Sequence, residues 1–142
     1  MTGADVVSAA RACLDTPFRH QGRIAGTGPG AGLDCAGLVV VVAEQLGIAY
    51  AAPTNYPRHP VNGELVRTLD AQASLQRVDA GEMAAGDILV FRLGGQPRHL
   101  GIWTGDTLIH AFDECGKVVE HQMDATWRRM RVRTYRFREV AA

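Results

Sequence analysis

Cys35, His99 and His110 are the residues of this chain whose types could combine into a nucleophilic site. A cysteine nucleophile needs an imidazole partner, and the imidazole needs a third polar group to hold its tautomer and orientation. In that order the chain offers a thiolate to attack a carbonyl, an imidazolium to protonate the leaving group, and an orienting residue. The backbone amide of Cys35 is a candidate donor to the oxyanion formed on attack. Taken singly, each residue has a plainer reading. A cysteine in an apolar run is ordinarily a small core side chain, and a lone histidine is ordinarily a surface one.

The elements that must position these groups can be read from their neighbours. Asp34 precedes Cys35 and is a preferred N-cap, so the run ending at Gly47 reads as a helix with Cys35 in its first turn. The positive end of that helix favours a thiolate. Val39 to Val42 argue instead for a buried strand, and periodicity alone leaves both open. About a dozen residues between the capping signals is long for a strand. Further on, Gly105-Asp106 reads as a two-residue hairpin turn. It pairs Thr104 with Thr107, Trp103 with Leu108, Ile102 with Ile109 and Gly101 with His110. His99, Gly101, Trp103, His110 and Phe112 then share one face, with His99 and His110 diagonal neighbours across Gly101.

Around these lie helices first and strands after, which predicts an α+β fold and a single domain over 1–142. Helices are expected over Ala4–Leu14 and Val61–Ala73, and strands over Leu75–Val78, Asp87–Leu93, His99–Thr104, Thr107–Phe112, Lys117–His121 and Arg131–Val140. Gly94 to Pro97 is expected to break the sheet, and Ile48–Pro60 reads as an irregular surface loop. The glycine-rich stretch Gly26 to Gly32 lacks the Lys-Ser/Thr ending of a phosphate loop and serves to turn the chain toward Cys35.

Composition narrows the function. Lys plus Arg and Asp plus Glu each number 15, which gives no bias toward nucleic acid or membrane binding. No apolar run is long enough to span a membrane, and the N-terminus shows no export signal. Three cysteines at no metal-like spacing argue for a reduced chain and against a zinc site on Cys35, His99 and His110. No cofactor is expected.

Asp34-Cys35-Ala36-Gly37-Leu38-Val39, Gly86-Asp87-Ile88-Leu89-Val90-Phe91, His99-Leu100-Gly101-Ile102-Trp103 and Leu108-Ile109-His110-Ala111 together resemble the NlpC-like family of cell-wall cysteine peptidases. The resemblance runs from the first helix to the third strand. It implies a papain-like α+β fold, with the nucleophile opening a helix packed on an antiparallel sheet, and cleavage of peptidoglycan stem peptides. It also implies a helix at Cys35, and substrate contacts near Asp34, Ala36, Phe18 and His20. Two departures stand out: Phe18 replaces a tyrosine common in the family, and Ala36 a serine. Thr16-Pro17-Phe18-Arg19-His20-Gln21 and Tyr135-Arg136-Phe137 are similar to the branch carried by phage tails and gene transfer agents. That similarity implies a tail hub or tip protein as partner, incorporation in a tail without a signal peptide, and action on the wall in the periplasm. Arg128 to Arg138 and the loop Ile48–Pro60 are the expected docking surfaces. His20 and His121 could extend the site but read first as surface residues, Cys115 as an exposed turn thiol and Cys13 as a packing residue. An amidase or acyltransferase with the same triad, and a decayed tail-assembly component, are the other readings.

Overall fold

A computed structural model describes residues 1–141. Along it run four α-helices and eight strands: α1 (Gly3–Arg11), β1 (Arg23–Ile24), β2 (Gly32–Leu33), α2 (Cys35–Gln45), α3 (Glu64–Asp70), β3 (Leu75–Arg77), β4 (Ile88–Leu93), β5 (Gln96–Trp103), β6 (Thr107–Phe112), β7 (Lys117–Gln122), α4 (Ala125–Met130) and β8 (Arg131–Phe137). Six strands form one antiparallel sheet in the order β3-β8-β4-β5-β6-β7. The fold is α+β, as the order of elements predicts.

Alternation along β4 shows how the sheet divides the core. Ile88 and Val90 face α1 and α2, where they join Val6, Val39, Val42, Leu100, Ile102 and Ile109. Leu89 and Phe91 face the other way, toward Trp103, Leu108, Met123 and Trp127 of α4. A strand covered on both sides reads as the unbroken apolar run Ile88-Leu89-Val90-Phe91. The same reasoning explains α2. Its valines are weak helix formers, but Leu38, Val39, Val40 and Val42 are at most 2% exposed, and burial on nearly every side overrides propensity.

The strands differ from expectation in the β4–β5 connection and in a separate two-stranded pair. Gly94-Gly95 is a tight turn between β4 and β5, so β5 begins at Gln96 and the ladder continues through Leu93↔Gln96 and Arg92↔Pro97. A register shift follows between Phe91 and Arg92, the kind of irregularity at which a strand proline is tolerated. The glycine-rich stretch joins the short pair β1 and β2, which periodicity did not reveal. The helices are shorter than their sequence patterns, and α1 gives way to turns ahead of Pro17.

Gly37, in the first turn of α2, is a packing requirement. A Cβ there would lie 2.2 Å from the Gly22 carbonyl oxygen, so backbone would have to move. Gly37→Ala is expected to lower stability by about 1–3 kcal/mol, read from urea unfolding. A variant as stable as the parent would show that the Gly22 turn yields freely.

Candidate active site

The start of α2 is built on Asp34. One carboxylate oxygen accepts from the Gly37 amide at 2.8 Å, which is the N-cap bond. The other accepts from the Gln21 amide at 2.7 Å and from the Tyr56 hydroxyl. The Arg23 guanidinium lies 3.2 Å from the first oxygen and also reaches the Tyr56 hydroxyl, at 2.9 Å. Asp34 is thus a hub that ties α2, the Gln21–Arg23 segment and the loop bearing Tyr56 to one point. Its oxygens are engaged within the chain.

Tyr56 went unread in the sequence because it sits in a segment without periodicity. A phenol therefore reaches the helix start from a different element than the one holding Phe18. Burial, together with its bond to Asp34, pushes the Tyr56 phenol up. The Ile48–Pro60 loop is a wall of the site. Pro53, Tyr56, Pro57 and Arg58 of this loop, expected as a docking surface, line the cavity described below.

Cys35 opens α2, as the capping signals and the family resemblance imply. Backbone amides of Leu100, Ala36 and Cys35 itself are directed at its sulfur and favour the thiolate. Burial opposes them more strongly, the Asp34 charge adds to it, and the thiol is pushed up to about 12. This direction is opposite to the one the helix dipole alone gives.

The hairpin has the register expected for Ile102↔Ile109 and Trp103↔Leu108. Gly101 lets the strands close up: a Cβ there would meet the Leu108 side chain at 2.5 Å and the His110 Cβ at 3.3 Å. His99 Nε2 and His110 Nδ1 are 2.7 Å apart. The contact continues outward, with His110 Nε2 2.7 Å from His121 Nε2, and His121 Nδ1 2.8 Å from the Gln122 carbonyl oxygen. Three imidazoles thus stand in a row on β5, β6 and β7, with Trp127 packed against each. His121 thus extends the row, the alternative to its reading as a surface residue. A signal was present: the two hydrogen-bonded pairs have the same sequence separation, 11 residues, as successive antiparallel hairpins produce.

Burial holds His99 down to about 4. For His110 burial, and then the neighbouring His99 and His121, lower it to about 2. Both are neutral in the folded chain at pH values where an unfolded histidine, with its ordinary 6.5, takes up a proton. The unfolded state then binds more protons, so stability is expected to fall as pH drops from 6.5 toward 4. Thermal melts of the parent should show a steeper loss over that window than melts of His110→Asn. Equal slopes would exclude His110 from the effect.

Cys35 and His99 line one cavity of about 360 Å³, the size of a small-ligand pocket. Phe18, His20, Asp34, Ala36 and Tyr56 line it as well, so all four substrate-contact candidates meet there. His20 lies edge-on to Tyr56, with its Nδ1 3.9 Å from Asp34. Arg58 bridges to Asp113 at 2.8 Å on the same wall. Cys13 is buried and Cys115 exposed, as expected. Among the described residues, no group of three His, Cys, Asp or Glu side chains is arranged to hold a metal ion. No helix there is long and apolar enough to cross a membrane.

The C-terminal arginines, expected as a docking surface, are in part engaged within the chain. Arg136 is paired with Asp87, Arg133 with Asp70, and Arg128 lies over the Trp103 ring. Tyr135 and Phe137 belong to the core.

Residues 15–136 match the sequence model of the NlpC/P60 family. Over 100 residues the chain is 27% identical to the murein DD-endopeptidase MepS/murein LD-carboxypeptidase of Escherichia coli strain K12, covering 69% of this chain and 46% of that protein. The chain thus spans about half the length of the curated relatives it matches. An NlpC/P60 family protein from Bacillus cereus ATCC 10987 superposes with a TM-score of 0.70 at 18% identity, over 96% of this chain and 40% of that one. The NlpC/p60 domain of the peptidoglycan hydrolase SagA gives 0.65 at 20% identity, over 94% and 97%. The peptidoglycan hydrolase RipB of Mycobacterium tuberculosis gives 0.63 at 19% identity, over 99% and 65%. At these identities the likeness establishes a shared fold.

Proposed function

The chain belongs to the NlpC/P60 family, and on that premise we propose that it is a cysteine peptidase hydrolysing amide bonds in peptidoglycan stem peptides. The observation that carries this reading is one cavity lined by both Cys35, at the capped start of α2, and His99, whose Nε2 is bonded to His110. The murein endopeptidase activity in the name of the Escherichia coli relative supports the substrate class.

In the mechanism, both reactants begin neutral. As the Cys35 sulfur attacks the carbonyl carbon, His99 takes the thiol proton and becomes an imidazolium beside His110. The carbonyl π electrons move to oxygen, and the amides directed at the sulfur, that of Cys35 among them, are the donors available to the oxyanion. The intermediate collapses when the C–N bond breaks and His99 gives its proton to the leaving amine. Water then attacks the thioester with His99 as base, and release of the acid restores the thiol. His99, held low by burial, is an available base throughout the neutral range.

The test is incubation with purified peptidoglycan and identification of the products by mass. New amino and carboxyl ends within stem peptides, absent with Cys35→Ala, are expected. Unchanged peptidoglycan would overturn the reading.

The delivery route belongs to the same proposal. The segments Thr16–Gln21 and Tyr135–Phe137 support a tail-borne peptidase held by a hub or tip protein and acting on the wall in the periplasm. Proteomics of washed tail particles checks it: the peptides should copurify with particles, and their confinement to the lysate would sink it.

A further inference from the structure

The row of imidazoles has a direction, and its outer end sets it. The Gln122 carbonyl oxygen can only accept, so His121 Nδ1, 2.8 Å away, must carry the proton of that bond. A neutral His121 then has a bare Nε2, which obliges His110 Nε2, at 2.7 Å, to be the donor. His110 in turn has a bare Nδ1, and His99 Nε2, also at 2.7 Å, donates to it. The only ring nitrogen left without a proton or a partner in the row is Nδ1 of His99.

We infer that His121, anchored by the Gln122 carbonyl, is a positioning residue that fixes the tautomers of His110 and His99 and leaves His99 Nδ1 as the base. The inference rests on the peptidase reading for its catalytic consequence, though not for the tautomers. His121 touches no reacting atom. It acts through His110, and Trp127 packed across all three rings keeps the row in register. A donor-only group at this position would reverse every bond: His110 would have to accept at Nε2 and donate from Nδ1, and His99 would carry its proton on Nδ1, where the base is needed.

Long-range proton–nitrogen correlation spectra of the full chain with labelled histidine read the tautomers directly. The parent is expected to show Nε2–H at His99 and His110 and Nδ1–H at His121. His121→Gln, whose amide oxygen can still accept, should keep the first two. His121→Lys, which offers only donors, should convert both to Nδ1–H and lower kcat on peptidoglycan by about 100-fold with KM little changed. A purely structural role would make Gln and Lys alike and leave the remaining tautomers as they are. Nδ1–H at His99 in the parent, or unchanged tautomers in His121→Lys, would overturn the inference. The expected tautomers in a parent that leaves peptidoglycan intact would support the inference and overturn the peptidase reading.

Discussion

His99→Ala is expected to remove turnover of peptidoglycan by at least about 100-fold, the usual contribution of a general acid–base group. Here the loss should be at the upper end, because His99 has two jobs on one proton. With burial pushing the Cys35 thiol up, the sulfur relies on a base to give up its proton. The departing amine also needs a proton in the next step. Cys35→Ala should be equally inactive, and combining the two changes should cost nothing more, since residues that act as one unit are not additive. His110→Asn should behave differently. Its amide oxygen can accept from His99 Nε2–H, so a residual rate of roughly a tenth is expected. Product release from peptidoglycan, measured by mass, separates the cases. Full activity in His110→Ala would remove His110 from the set, and another acceptor would have to orient His99.

What the sequence disclosed and what it hid follow from how far each interaction reaches along the chain. The helix at Cys35 was half legible, since the local Asp34 cap favoured it, the valines argued for a strand and the family resemblance decided; the His99–His110 pair was legible because a two-residue turn sets the register of both strands. Tyr56 and Arg23 were not legible as partners of Asp34, since their association depends on a loop path that leaves no period in the sequence. The surroundings of the sulfur were hidden for a related reason. A helix end is a local property, whereas desolvation of Cys35 depends on everything packed over α2. The arginines from Arg128 to Arg138 read as a docking surface because charge is visible in a sequence and its partners are not. Asp70 and Asp87 lie in distant elements, yet they pair with Arg133 and Arg136. The motif Tyr135-Arg136-Phe137 therefore has structural work in the core, whatever else it does.

That pairing gives the largest expected effect on stability. Asp87, fully buried, accepts from Arg136 Nε at 2.7 Å, from Arg136 Nη2 at 2.9 Å and from the Ala84 amide at 2.8 Å. Arg136 Nη2 also donates to the Glu82 carbonyl at 3.0 Å. Arg136→Met preserves much of the side-chain volume but leaves the Asp87 carboxylate buried beside one amide donor. Removing one member of a buried pair in this way typically costs about 3–5 kcal/mol, and that loss is expected in urea unfolding with an unchanged m-value. Asp87→Leu alone should be comparably damaging, because it strands the guanidinium. Asp87→Leu with Arg136→Met should recover much of the loss, since neither charge is then left without a partner. The pair stands at the start of β4, whereas His99 is paired with Phe91 further along that strand, so activity per folded molecule should change little. A single Arg136→Met variant within about 0.5 kcal/mol of the parent would mean that water or another group takes over at Asp87. A double variant no better than either single one would place the damage in packing, not in the orphaned charge.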